Sequence, residues 1–168
     1  QSLFVRRCTK YFSADLNPGD NFACVDFYSV FDTCKSLGHQ ISTSVLKTLL
    51  GAWLSSRRRL QPVSHCRFCR LSHSDMLQHY VVCDKLWHIV RLIFPPFAPH
   101  FDPLLLLGLL PPNKYQLYGV HLAFLLFHSL DPSDEYSVAQ CVSIGRANTR
   151  GCKIHDSLIK AYFGSSRC

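Results

Sequence analysis

The sequence predicts a mainly helical domain. Three features carry that expectation. Hydrophobic residues make up 48% of the chain and aromatic residues 12%, enough to bury a core within 168 residues. From residue 41 onward, several segments repeat apolar residues at spacings of three and four, the helical period. Prolines and short polar residues of the kind that stop and start helices stand between those segments. The length suits one domain, or a small module with a helical body. The chain begins with Gln and is expected to be a piece of a longer protein.

Residues 1–24 show no clear period, and NPGDN (17–21) is a turn. ISTSVLKTLLGAWLSSRRR (41–59) is expected to be one helix. Ile41, Val45, Leu46, Leu49, Leu50, Trp53 and Leu54 recur at helical spacing, and Ser42 or Thr43 caps the start. Arg57, Arg58 and Arg59 suit its last turn, where cations meet the negative end of the helix dipole, and Pro62 ends it. SDMLQHYVVCDKLWHIVRLIF (74–94) is expected to be a second helix, with Ser74 as N-cap and Asp75 in the first turn, broken by FPPFAP (94–99). A proline-bounded connector follows to Pro112. A third helix is expected from about Lys114 to Ser129. A fourth lies in DPSDEYSVAQCVSIGRANTR (131–150), with Asp131 or Ser133 as cap and Asp134 and Glu135 early. A short fifth covers Ile154–Tyr162. There is no internal repeat.

Between the first two helices lies HCRFCRLSHSDMLQHYVVC (65–83), with three Cys and three His in nineteen residues. The pattern Cys66-x2-Cys69-x9-His79-x3-Cys83 has physical content. Two Cys two residues apart can reach one ion from a tight turn. His79 and Cys83, four apart on a helix, project from the same face. Together they make a closed tetrahedral shell of three thiolates and one imidazole, the donor set that structural zinc prefers. The expected cofactor is therefore structural Zn2+, held by Cys66, Cys69, His79 and Cys83. The alternative is that the three Cys are small core residues and His79 a surface histidine. His65, adjacent to Cys66, should point elsewhere, and His73 competes as a ligand only by distorting the turn. A redox CxxC expects a βαβ context that is not found here. The fold class is thus mainly α: a helical domain with a small Cys3His zinc knuckle of turn plus helix. The expected division is an N-terminal segment (1–40), a basic helix and zinc-knuckle module (41–94), a Pro-rich connector (95–112) and a helical C-terminal region (113–168).

The net charge is +7 and the isoelectric point about 9.0. From Ile41 to Arg70 there are six basic residues, Lys47, Arg57, Arg58, Arg59, Arg67 and Arg70, and no acidic ones, so the other 138 residues carry only +1. Such a local excess attracts phosphates through counterion release; the plain alternative is a solvated basic face. These six residues are the expected nucleic-acid contacts. The remaining Cys are scattered without a framework spacing, which favours a reducing, intracellular compartment. The apolar runs Leu104–Leu110 and Leu117–Leu126 are too short to cross a bilayer and are read as buried. Trp53 and Trp87 are expected in the core beside the knuckle. His88, His121 and His128 are expected to be partly buried and hydrogen-bonded.

LKTLLGAWLSSRRRLQPVSHCRFCRLSHSDMLQHYVVCDKLW (46–87) resembles the region downstream of the polymerase core in non-LTR retrotransposon reverse transcriptases, of the dinoflagellate and protist type. The matching positions are Trp53, Arg57–Arg59, Cys66, Cys69, Asp75, Leu77, His79, Tyr80, Cys83, Leu86 and Trp87. The resemblance implies engagement of RNA or target DNA, and a nuclear location. Upstream, VDFYSVFD (25–32) resembles the palm motif of such enzymes, which would give Asp26 a magnesium-binding role. Two-metal phosphoryl transfer needs further carboxylates, and the chain contains no Asp-Asp pair. Phosphate-binding glycine loops, nucleophile elbows and HExxH are absent too. The expectation is a zinc-stabilised nucleic-acid-binding module without catalytic activity or a small-molecule substrate. The rival is a helical structural or interaction subunit, or a degenerate retroelement fragment, that packs on a larger protein assembly.

Overall fold

The computed structural model describes residues 24–55, 64–72, 74–100 and 102–164, and among them the chain is mainly helical with no strand. Helix α1, Phe27–Ser36, lies in the N-terminal segment (1–40), just after the residues 1–24 that show no period. Its N-cap is Asp26, whose exposed carboxylate accepts the backbone N–H groups of Tyr28 and Ser29 and the Ser29 hydroxyl. Asp26 therefore acts as a helix cap.

Helix α2, His39–Leu49, is shorter than expected at one end and longer at the other. Ser42 does not cap it; its hydroxyl sits inside the helix and reaches back to the carbonyls of Gly38 and Cys34. The C-terminus is closed ten residues before Arg59. Gly51, with φ +66°, donates to Thr48 O at 3.0 Å, and Ala52 donates to Lys47 O at 2.7 Å. That pair of bonds is a Schellman motif, and it needs a residue that tolerates the left-handed region. Residues 52–55 beyond it are not helical, and Trp53 is buried with its indole N–H on Thr48 Oγ1 at 2.9 Å. Arg57, Arg58 and Arg59 lie outside the described residues.

The expected helix at 74–94 is two helices, α3 (Leu77–Val82) and α4 (Asp84–Ile93), divided at Cys83, where ψ is 97°. Ser74 does not cap α3; its hydroxyl bonds to Ser72 O, and Met76 occupies the cap position. In the proline-bounded stretch, Asp102 caps a short helix α5 (Pro103–Leu106). Helix α6 runs from Lys114 to Ser129, as predicted, with the Asn113 side chain accepting from the amides of Tyr115 and Gln116. It is apolar on all sides and almost wholly buried, the signature of a central helix. Helix α7 covers Val138–Thr149 and starts later than expected. Its cap is Ser137 in a capping box with Gln140, because Asp131 closes a separate turn onto the Ser133 amide and hydroxyl. Helix α8 spans Lys153–Gly164.

Helix α6 is the hub. Its most extensive packing is against α2, and α4, α7 and α1 complete its surroundings. Gly119 lets the Phe97 ring lie against α6, and Gly145 of α7 does the same for Ile93; a Cβ at either would overlap those side chains. No helix among the described residues is long and apolar enough to cross a membrane.

The α2–α6 contact contains one buried titratable group. His121 Nδ1 lies 3.0 Å from the Ser44 hydroxyl, and burial pushes its pKa down to about 4. An unfolded chain takes up this proton near pH 6.5. The contribution is therefore complete above about pH 6.5 and is lost as pH falls towards 4. Urea denaturation at pH 7 and pH 4.5 is expected to show the wild type losing on the order of 2–3 kcal/mol more over that interval than His121→Gln. Equal losses in the two proteins would contradict the assignment.

Candidate metal centre

The first pair of donors comes from a tight turn. Cys66 N–H donates to Leu71 O and Arg70 N–H donates to Cys66 O, both at 3.0 Å. Arg70 adopts φ +64°, the left-handed conformation that lets the chain turn back. The amides of Phe68 and Cys69 point at Cys66 Sγ, at 3.4 and 3.5 Å. Two N–H groups aimed at one sulfur favour a thiolate there. Ser64 O accepts from the amides of Ser74 and Asp75, at 3.0 and 3.1 Å, and so ties the turn to the start of α3.

The second pair comes from α3. His79 lies within the helix, and Cys83 lies at the break into α4. The break departs from the expected continuous helix, yet both side chains still reach the turn. Cys66, Cys69, His79 and Cys83 each contribute one donor atom, and the four atoms lie within 4.8 Å of one another. Cys66 and Cys83 are fully buried, whereas Cys69 and His79 are half-buried.

These distances suit a common centre. Cys66 Sγ and Cys83 Sγ are 3.8 Å apart, too far for a disulfide. Two sulfurs on a tetrahedral ion at about 2.3 Å each stand about 3.8 Å apart. Cys69 Sγ lies 3.1 Å from His79 Nε2, a hydrogen-bonding distance that a shared ion would lengthen by a few tenths of an ångström. The thiols are unequal: a hydrogen bond from Cys83, helped by the two amides, brings Cys66 down to about 5. As the donor of that bond, and being buried, Cys83 is pushed up, and burial also raises Cys69. Three thiols and one imidazole brought this close form a group that could hold a metal ion. His65 is exposed and outside the cluster, and His73 is outside the described residues.

The expected phosphate contacts separate. Arg67 is withdrawn from the surface, with only 5% of the residue exposed. Its Nη1 donates to Phe127 O at 2.8 Å and to Leu130 O at 3.0 Å, its Nη2 donates to Leu54 O at 3.3 Å, and its guanidinium lies 3.9 Å from the Phe127 ring centroid. Its Nε makes no hydrogen bond, and the Asp75 carboxylate stands 4.0 Å away. Asp75 itself accepts the Tyr80 hydroxyl at 2.6 Å. Arg67 thus closes the C-terminal carbonyls of α6 and is not available to a phosphate. Arg70 is partly exposed and paired with Glu135 at 3.0 Å. Lys47 is exposed, with its ammonium 5.6 Å from the Phe124 ring centroid. Sequence reasoning missed Arg67's role because nothing in its neighbourhood distinguishes a buried arginine from a surface one. Trp53 and Trp87 are both buried, as expected, whereas His88 and His128 are exposed, the latter with its Nδ1 2.9 Å from Phe124 O. Trp53, Tyr80 and Phe127 form an aromatic cluster beneath the turn, with ring centroids 4.8–5.5 Å apart.

Comparison with protein-family models, curated proteins and solved structures gives no match.

Replacing Arg67 leaves three carbonyls, two of them on the buried residues Phe127 and Leu130, and Asp75 without their cation. Arg67→Met is expected to lower unfolding free energy by about 3–5 kcal/mol, and Arg67→Lys is expected to recover little, because one ammonium cannot span the fork. Chemical denaturation of both variants checks this; a loss below about 1 kcal/mol would place Arg67 with ordinary surface arginines.

Proposed function

We propose that the chain is a non-catalytic module whose helical body is held by one structural zinc ion on Cys66, Cys69, His79 and Cys83. The observation that carries this reading is the convergence of four donor atoms within 4.8 Å from a turn and a neighbouring helix. Zinc fits the donors best: three soft thiolates and one imidazole match its tetrahedral preference. Four protein donors leave no open position for substrate, so the ion's role is to fold and fix the chain. About one zinc per chain is expected by metal analysis of the purified protein. Cys66→Ser and His79→Ala lose it, whereas Cys141→Ser, a buried thiol outside the cluster, retains it. Zinc retained in the first two variants would overturn the assignment.

The nucleic-acid reading extends this one. Its support is charge and the resemblance of residues 46–87 to the segment downstream of a retroelement reverse transcriptase core. Arg67 and Arg70 are engaged within the fold, which leaves Lys47, Arg57, Arg58 and Arg59 as the cations for phosphate. Lys47 makes no ion pair among the described residues. Four phosphate contacts give a slope of about −3.6 for log K against log salt on duplex DNA, against about −5.4 for all six residues. Binding to a mixed-sequence duplex between 50 and 200 mM salt measures it. A slope near −3.6 is expected, falling to about −0.9 when Arg57, Arg58 and Arg59 are changed to Gln and only Lys47 remains. No binding to DNA or RNA would favour the structural-subunit reading.

A further inference from the structure

A cavity of about 550 Å³ opens between α4 and the stretch leading into α5. It shares no residue with the four metal donors. Its size falls within the range of small-ligand sites. Its floor is apolar: Val81, Trp87 and Leu106 line it and are buried. The Trp87 indole N–H is committed to Val81 O at 2.9 Å, and its ring stacks on Phe97, so Trp87 offers the cavity only hydrocarbon. Val82 lines the mouth with half of its surface exposed to water.

The polar groups stand on the rim. Asp84, His88 and Arg91 follow at helical spacing along α4, and His100 lines the other wall. Arg91 makes no side-chain hydrogen bond or ion pair among the described residues, so its five N–H donors face water. Asp84 is two turns away, about 10 Å along the helix, in the first turn where the helix dipole favours its charge.

We propose that this cavity binds an amphipathic monocarboxylate, with its hydrocarbon on the Val81, Trp87 and Leu106 floor and its carboxylate on Arg91. The side chains of the floor carry no polar atom except the Trp87 indole N–H, which is already bonded to Val81 O, so they favour an apolar ligand body. A free guanidinium fork selects a planar carboxylate by paired hydrogen bonds. Asp84 at the far end repels a second negative group. A medium-chain alkyl carboxylate satisfies all three conditions.

Decanoate, kept below its micellar concentration and titrated calorimetrically into the metal-loaded full chain, tests this. Saturable binding is expected, and decanol, with the same tail and no charge, is expected to bind about tenfold more weakly. Arg91→Gln removes that difference by weakening decanoate about tenfold and leaving decanol unchanged. Val82→Glu places a negative charge at the exposed mouth without touching the core and abolishes decanoate binding. Absence of saturable binding, or equal decanoate affinity in wild type and Arg91→Gln, overturns the proposal. Zinc content, measured on the same samples, separates either result from a failure of the metal assignment.

Discussion

Three thiols and one imidazole gathered within 4.8 Å are the constraint around which the rest of the chain is arranged. Two of the sulfurs are shut away from water, and sulfur atoms this close exert mutual demands on their protons. A shared cation resolves those demands at once, because every donor then meets positive charge rather than a neighbouring lone pair. The turn that presents Cys66 and Cys69 also presents Arg67, so the geometry of the cluster dictates where that guanidinium lies. The break at Cys83 belongs to the same constraint. It ends α3 where the last sulfur reaches the cluster and allows α4 to leave in a new direction, against α6 and α7.

Arg67 carries the influence of the knuckle into the helical body. The last carbonyls of a helix have no partner within it. Here two of them, at Phe127 and Leu130, are met by one buried cation, which also holds the chain after α2 through Leu54. The Phe127 ring beneath it and the Asp75–Tyr80 pair beside it offset part of the cost of removing a charge from water. The central helix, the segment around Trp53 and the knuckle thus meet at a single side chain. This explains how a turn of a few residues can matter to a body built on α6.

Much of the helical character was legible in the sequence, since it rests on period and composition. The ends of α6 were legible because Asn113 is a good cap and the run to Ser129 is uninterrupted. The four donors were legible because their spacing is itself the chemistry. Other features depend on contacts that a linear reading does not contain. Gly51 stops α2 through a pair of bonds to Lys47 and Thr48, whereas the apolar period continues past it to Trp53 and Leu54. Cys83 breaks a segment free of glycine and proline, where only the pull of the cluster marks the place. Ser137 takes the cap of α7 because Asp131 is engaged in its own turn. Arg67 is written like its exposed neighbours, and only the folded chain shows that its partners lie some sixty residues away.

Whether Cys66, Cys69, His79 and Cys83 share one zinc ion decides the rest, and zinc K-edge X-ray absorption of the purified protein reads that directly. The expected shell is three sulfurs at about 2.3 Å and one nitrogen at about 2.0–2.1 Å. A shell dominated by oxygen or nitrogen, or a chain that takes up no zinc, would contradict it.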